Sequence, residues 1–182
     1  MRLKDCHSFG DFRELARRRL PSPIFNYIDG AADDERTYER NTKSFEDCDL
    51  VPNVLRGVKD IDMSVEILGH KLDMPIYCSP TALQRVFHHQ GEHAVAAAAD
   101  KYGTLFGVSS LGTVSLAEVR EKYTGPQCYQ FYYHKDKALN QVMLENAKQA
   151  NVDVMMLTVD TITGGNLSLI HISEPTRPLI IS

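Results

Sequence analysis

Pro75-Ile76-Tyr77-Cys78-Ser79-Pro80-Thr81-Ala82-Leu83-Gln84-Arg85 marks the point at which this 182-residue chain changes rhythm. Ile76-Tyr77-Cys78 reads as a short buried strand, and Ser79-Pro80-Thr81-Ala82 carries the chain away from that strand's C-terminal end. Proline at 80 biases Ser79 away from helical dihedrals, so the chain leaves the strand extended. Downstream, apolar runs at 104–108, 128–131 and 153–159 alternate with helical patterns at about 92–102, 115–123 and 136–150. The alanine-rich helix, with Ala94 and Ala96-Ala97-Ala98-Ala99, has the small side chains that suit close packing on a sheet. Strands that start roughly 25 residues apart with helices between them are βα units of a parallel sheet. Such sheets place ligand sites at the C-terminal ends of their strands.

Upstream, the pattern is helical and strongly charged. Ser8 caps a first helix carrying Phe9, Phe12, Leu15 and Ala16 on one face, which Pro21 stops. Ser22 and Pro23 open a second helix that ends near Gly30. Asp33-Asp34-Glu35 precede a third helix through Tyr38 and Phe45, with Pro52 closing the section. Val65-Glu66-Ile67-Leu68 and Lys71-Leu72 flank Gly69-His70 as a small hairpin. Arg17-Arg18-Arg19 falls late in the first helix and reads as a solvated helix end.

Composition narrows the class. An apolar fraction of 43% and a charged fraction of 24% suit an ordinary globular core, and a net charge of −4 without a basic stripe argues against nucleic-acid binding. No apolar run approaches the length of a bilayer span, and Met1-Arg2-Leu3-Lys4-Asp5-Cys6 lacks the apolar core of a secretory signal. Cys6, Cys48, Cys78 and Cys128 are widely spaced, and reduced thiols are expected. The expected setting is cytoplasmic, with peripheral contact at the inner membrane as the alternative.

Five polar clusters fall at or near strand ends: Pro80-Thr81-Ala82, Ser109-Ser110-Leu111, Gln130-Phe131-Tyr132, Thr158-Val159-Asp160-Thr161 and Gly164-Gly165-Asn166. Singly, each has a bland reading: Ser109 or Thr158 satisfies local backbone, Gln130 is a lone buried amide, and Tyr27 packs on an apolar helix face. Recurrence in phase points to a ligand site. His88-His89-Gln90-Gly91-Glu92-His93 places two histidines four apart. Its glutamate is displaced from the His-Glu-x-x-His order, so a solvated helix start is expected there and no metal site. A Gly-x-Gly-x-x-Gly turn is missing after the first strand, which weakens a dinucleotide-binding sheet. Four βα units otherwise suit either a doubly wound sheet or the first half of a (β/α)8 barrel.

Between Phe9 and Asn166 the chain resembles the FMN-dependent L-2-hydroxy-acid dehydrogenases and oxidases. The residues that carry this are Leu20-Pro21, Phe25-Asn26-Tyr27-Ile28-Asp29-Gly30-Ala31-Ala32-Asp33-Asp34-Glu35, Asn41, Leu68-Gly69 and Met74-Pro75-Ile76. Ser79-Pro80-Thr81-Ala82, Gly91-Glu92, Ser109-Ser110, Tyr129-Gln130-Phe131-Tyr132 and Leu157-Thr158-Val159-Asp160-Thr161 complete the set. The resemblance implies an α/β fold: the N-terminal half of a (β/α)8 TIM barrel, preceded by a helical N-terminal segment and a small β-hairpin, with FMN at the barrel mouth. Residues 1–62 form the helical segment, 63–166 the first four βα units, and 167–182 a tail outside the family. By resemblance, Pro80, Thr81 and Ala82 lie along the flavin, and Ser109, Gln130 and Thr158 bond it. Tyr27 holds the substrate carboxylate, Tyr132 is the catalytic tyrosine near the substrate hydroxyl, and Leu111 shapes the substrate pocket. A medium aliphatic residue at 111 suits L-lactate, although one methylene discriminates by only ~1–3 kcal/mol.

The family pattern continues Gly164-Gly165-Asn166 with Arg-Glu-Arg-Asp, whereas this chain continues Leu167-Ser168-Leu169-Ile170. The tail resembles translated sequencing-adapter read-through, so His171 and Arg177 are not assigned catalytic roles. The expectation is a chain without the family's general-base histidine and FMN phosphate site, and therefore inactive alone. Family membership implies a small 2-hydroxy acid as substrate, an acceptor that is oxygen, quinone or cytochrome, and often a homotetramer. Two other readings remain: an FMN barrel of other chemistry, such as a type 2 isopentenyl-diphosphate isomerase, or a non-enzymatic half-barrel module.

Overall fold

The structure is a computed structural model and describes residues 2–160 and 166–168. Thr161, Gly164, Gly165 and the tail from residue 169 lie outside the described residues. The chain divides into two compact units, Met1–Gly57 with Ile162–Ser182, and Val58–Thr161.

The first unit holds three helices: α1 (Phe9–Arg19), α2 (Ser22–Asp29) and α3 (Arg36–Glu46). Ser8 caps α1 through a reciprocal box with Asp11, an arrangement worth about 1 kcal/mol. Of the apolar stripe expected on α1, Leu15 is buried, but Phe9 and Phe12 are exposed. Arg17 and Arg18 both pair with Glu14 one turn back, so the arginine run is partly neutralised on its own helix. Arg13 grips Asp29 with two parallel bonds, of 2.5 and 2.9 Å, and ties α1 to α2. Helix α2 begins at Ser22 with Pro21 as its cap residue, one position before the expected start. Helix α3 ends at Glu46, six residues before Pro52. Leu167 forms an antiparallel bridge with Ala32, and the Ser168 amide donates to the Ala31 carbonyl at 2.8 Å.

The second unit begins with the hairpin β1 (Val65–Ile67) and β2 (His70–Leu72). Its turn is Leu68-Gly69, one residue earlier than expected, and both residues have positive φ, as a two-residue hairpin of this hand requires. After a short helix α4 (Gln84–Phe87), missed in the sequence, come α5 (Glu92–Lys101), β3 (Phe106–Ser109), α6 (Leu116–Lys122), β4 (Gln127–Tyr132), α7 (Lys137–Gln149) and β5 (Val154–Thr158). Strands β3, β4 and β5 pair in parallel in that order. Local caps explain the helix starts: Ser115 with Glu118 on α6, and Asp136 on α7.

The expected buried strand at 76–78 is reduced to one bridge, Cys78 to Phe106, and Ile76 is 67% exposed. The ladder fails on both sides for identifiable reasons. The next donor required is residue 80, a proline with no N–H. In the other direction, the Gly103 carbonyl is taken by the Asp73 amide, and the Ile76 carbonyl by the Thr104 hydroxyl.

The period-two geometry of strands sends alternate residues to opposite faces. Phe106, Val108, Tyr129 and Phe131 pack with Ala96 and Ala99 of α5, Val119 of α6 and Ala147 of α7 in one core. Leu105 and Cys128 pack with Leu72 of the hairpin on the other face. Arg120 donates to the carbonyls of Gly125, Ala150 and Asn151 and to the Asp153 carboxylate, tying α6 to the entry of β5. No helix among the described residues is long and apolar enough to cross a membrane.

Candidate functional site

Ser109, Gln130 and Thr158 occupy the C-terminal ends of β3, β4 and β5, and the register explains why they meet. Ser109 lies opposite Gln130, and Tyr132, two residues on, lies opposite Thr158. The Gln130 amide reaches diagonally across this pattern. Its Nε2 donates to Thr158 Oγ1 at 2.8 Å, while its Oε1 accepts from Ser109 Oγ at 3.3 Å, Ser110 N at 3.3 Å and Ser110 Oγ at 3.4 Å. Three donors around one atom fix the amide's orientation, because the flipped amide would set NH2 against the Ser110 N–H. Ser109 and Gln130 are 7% and 5% exposed. Gln130 is therefore the middle member of a row across three strands.

Of the remaining residues assigned from the sequence, Pro80, Thr81, Ala82, Leu111 and Tyr132 belong to the same unit as this row. Pro80 rests against β3 at Gly107: a Cβ there would lie 2.8 Å from both Cδ and N of Pro80. The absent side chain is what allows Pro80 so close to the sheet. Thr81 is exposed and Ala82 half-buried, and Gln84 Nε2 holds the Thr81 carbonyl at 3.2 Å. Leu83 sits in the left-handed region at φ 56°, a conformation that disfavours non-glycine residues by about 1–2 kcal/mol. Its amide is tied to the Leu111 carbonyl at 3.1 Å. Leu111 is exposed, with its own amide on Ser109 Oγ at 3.1 Å. Tyr132 is half-buried on the same strand face as Gln130. Tyr27 belongs to the first unit, on α2, and is exposed.

Glu92 corrects the sequence reading. Expected in a solvated helix start, its side chain is completely buried. Burial pushes its carboxyl up, but the Thr113 hydroxyl and amide, together with the Glu92 and Gln84 amides, outweigh that and hold it below the ordinary carboxylate range. Gly91 makes the approach possible: a Cβ there would lie 2.6 Å from Cγ of Arg85. Among the described residues, no group of three metal-ligating side chains gathers around His89 and His93 or elsewhere. His93 instead sits by the Tyr123 ring, with centroids 6.1 Å apart.

A cleft of about 450 Å³ opens on the helix side of the sheet, lined by Val108, Tyr129, Leu116, Asn146 and Gln149. The polar row faces the opposite side of the sheet, the face that packs on Leu72 of the hairpin through Leu105 and Cys128. Burial pushes the Tyr129 and Cys128 side chains upward in pKa, so both stay neutral at pH 7. Chemically, the row offers neutral amide and hydroxyl groups to a polar, planar ligand edge.

The family model described as FMN-dependent dehydrogenase matches residues 16–170. An L-lactate dehydrogenase of Vibrio parahaemolyticus is 39% identical over 150 residues, covering 82% of this chain and 40% of that protein. Glycolate oxidase 1 of Oryza sativa is 36% identical over 151 residues, covering 83% of this chain and 41% of that protein. A crystal structure of mandelate oxidase with 3,3-difluoro-2-hydroxy-3-phenylpropionic acid superposes with a TM-score of 0.82 at 30% identity, over 88% of this chain and 48% of that one. The chain thus spans between two fifths and one half of the length of these relatives.

Proposed function

The chain belongs to the family of FMN-dependent dehydrogenases, and from that premise we propose that its barrel-type unit forms one side of a site where FMN oxidises an L-2-hydroxy acid, L-lactate in particular. The observation that supports this most directly is the row Ser109–Gln130–Thr158. One Nε2 hydrogen of Gln130 goes to Thr158, while the other Nε2 hydrogen and the Thr158 hydroxyl hydrogen have no acceptor among the described residues. A flavin's polar edge alternates carbonyl oxygens with an imide N–H, and neutral amide and hydroxyl groups can meet both kinds. Pro80, flat against Gly107, supplies an apolar surface beside that row. On this observation the residues present fit the ring.

Pro80, Thr81 and Ala82 would lie along the ring, and Ser109, Gln130 and Thr158 would bond its polar edge. When bound, FMN would supply the electron sink for oxidation at the hydroxyl-bearing carbon. The Tyr132 phenol is the catalytic group of the proposal: it can bond the substrate's hydroxyl oxygen without adding a charge. Leu111 would limit the substrate's side chain. For Tyr27, the carboxylate-binding role rests on the sequence resemblance alone.

A chimera tests the reading. Residues 16–166 replace the matching segment of the Vibrio L-lactate dehydrogenase, and the purified protein is scored for bound FMN and for anaerobic bleaching of the flavin by L-lactate, glycolate and mandelate. Bound flavin bleached fastest by L-lactate is expected, with Gln130→Met weakening FMN retention. A folded but colourless chimera overturns the flavin reading, and bleaching by glycolate or mandelate alone overturns the substrate. The 182 residues by themselves are expected to bind FMN weakly and to show no lactate-dependent bleaching.

A further inference from the structure

Glu92 is the most deeply buried ionisable group described, with 0% exposure, and no lysine, arginine or histidine pairs with it among the described residues. A carboxylate in that situation is costly unless hydrogen bonds replace its water. Here Thr113 supplies the two strongest, with Thr113 N donating at 2.7 Å and Thr113 Oγ1 at 2.6 Å, and the Glu92 and Gln84 amides also face the carboxylate. The position of Glu92 at the first turn of the ten-residue α5 adds a favourable helix dipole. A buried ionic group of this kind is weak evidence of net stability, so its contacts decide what it does.

What Glu92 holds is visible in the next contacts. Thr113 Oγ1 also accepts from the Arg85 amide at 3.1 Å, so one hydroxyl joins the carboxylate to the start of α4. The Leu83 amide on the Leu111 carbonyl adds a second stitch between the same segments. Gly112 lies against the carboxylate itself, where a Cβ would be 3.2 Å from Glu92 Oε1. The 109–113 loop begins at Ser109, whose Oγ bonds Gln130, and the 83–85 segment follows Pro80-Thr81-Ala82.

We propose that Glu92 is a positioning residue: its carboxylate clamps the 109–113 loop to the 83–85 segment and so sets where Ser109 and Pro80 stand relative to Gln130. The bearing of this clamp on flavin rests on the functional reading above; the clamp itself does not. A residue serving only stability would affect the whole unit, whereas a clamp acts on these segments and follows the charge of one carboxyl.

The test is site-resolved amide hydrogen exchange on the full chain, comparing wild type, E92Q, Thr113→Val and Thr113→Ser. Expected is a loss of protection of about tenfold at the Leu83, Arg85, Leu111 and Thr113 amides in E92Q and Thr113→Val, with Val154–Thr158 changed by less than about twofold. Thr113→Ser, which keeps the hydroxyl, should retain protection. Because the folded carboxyl titrates below its ordinary value, wild-type protection at these amides should persist above that value and fall as pH drops through the folded one. E92Q should lack this step. His88, His89, His93, Arg85 and Glu118 are the other charged or titratable groups near the start of α5 and are common to both proteins, so the difference isolates Glu92. Uniform deprotection across the unit, unchanged protection in both E92Q and Thr113→Val, or the same acid step in E92Q overturns the proposal. If E92Q does not fold, the valine and serine variants carry the comparison. A colourless chimera would sink the flavin reading and leave this result standing.

Discussion

Replacing Gln130 by methionine should lower stability by about 2 kcal/mol, whereas the same change at Gln127 should leave it unchanged or raise it by up to about 2 kcal/mol. Both glutamines are buried on β4. Gln130 makes one bond of full strength, to Thr158 at 2.8 Å, worth about 1 kcal/mol. Its three contacts at 3.3–3.4 Å are long and share one oxygen, and together add about 1 kcal/mol more. Gln127 donates to the Tyr123 carbonyl at 3.1 Å, but its Oε1 is buried without a partner. Removing that side chain gives up about 1 kcal/mol and relieves a desolvated oxygen costing about 1–3 kcal/mol. Methionine is close to glutamine in length and volume, so cavity effects are small in both cases. Urea unfolding followed by far-UV circular dichroism reads the difference. With a slope of about 2 kcal/mol per molar, Gln130→Met should lower the midpoint by about 1 M, and Gln127→Met should leave it unchanged or raise it by up to about 1 M. Equal losses at the two positions, or a larger loss at Gln127, would refute the hydrogen-bond assignment of the row.

Two further outcomes can be checked by the same unfolding measurement. Gly107→Ala places a methyl group 2.8 Å from Pro80, against ring and backbone atoms that cannot swing aside, and should cost about 1–3 kcal/mol; an unchanged midpoint would show that Pro80 does not rest on β3. Burial pushes the Asp153 carboxyl up, but the Gln127 amide at 2.8 Å and Arg120 outweigh it, so the folded value is depressed. Its contribution is therefore present above the unfolded value of about 3.9 and lost as pH falls through the folded one. Wild type should lose more stability than Asp153→Asn on acidification through that window, and equal losses would contradict the assignment.

The parts of the fold that were legible rest on local chemistry. Ser8, Ser115 and Asp136 each bond amides within three residues, and each helix starts where its cap dictates. The strand expected at 76–78 shrinks to one bridge because Pro80, visible in the sequence, ends it on one side, while the Asp73 amide and the Thr104 hydroxyl, which the sequence does not place, end it on the other. Phe9 and Phe12 form a helical stripe, but only Leu15 is covered. At the site, the phase of Ser109, Gln130 and Thr158 could be read from strand periodicity, whereas their bonding could not. Gln130 alone looked like an isolated amide, and its partners are 21 and 28 residues away. Glu92 was misjudged for the same reason, since Thr113 lies 21 residues downstream. The signal present was Gly91 beside a helix-starting carboxylate, and it shows its meaning only when Arg85 and Thr113 are in place.

The sheet order β3-β4-β5 follows the chain, and each strand pairs with the one made just before it. Such a sheet can be assembled in the order of synthesis. At about 5–20 residues per second, a further unit of about twenty residues emerges in about 1–4 s. Helix formation takes about a microsecond, so each helix has ample time to form before the next strand arrives. The growing edge of the sheet is then always the newest strand, and Gln130 is in place on β4 before Thr158 exists to receive its bond.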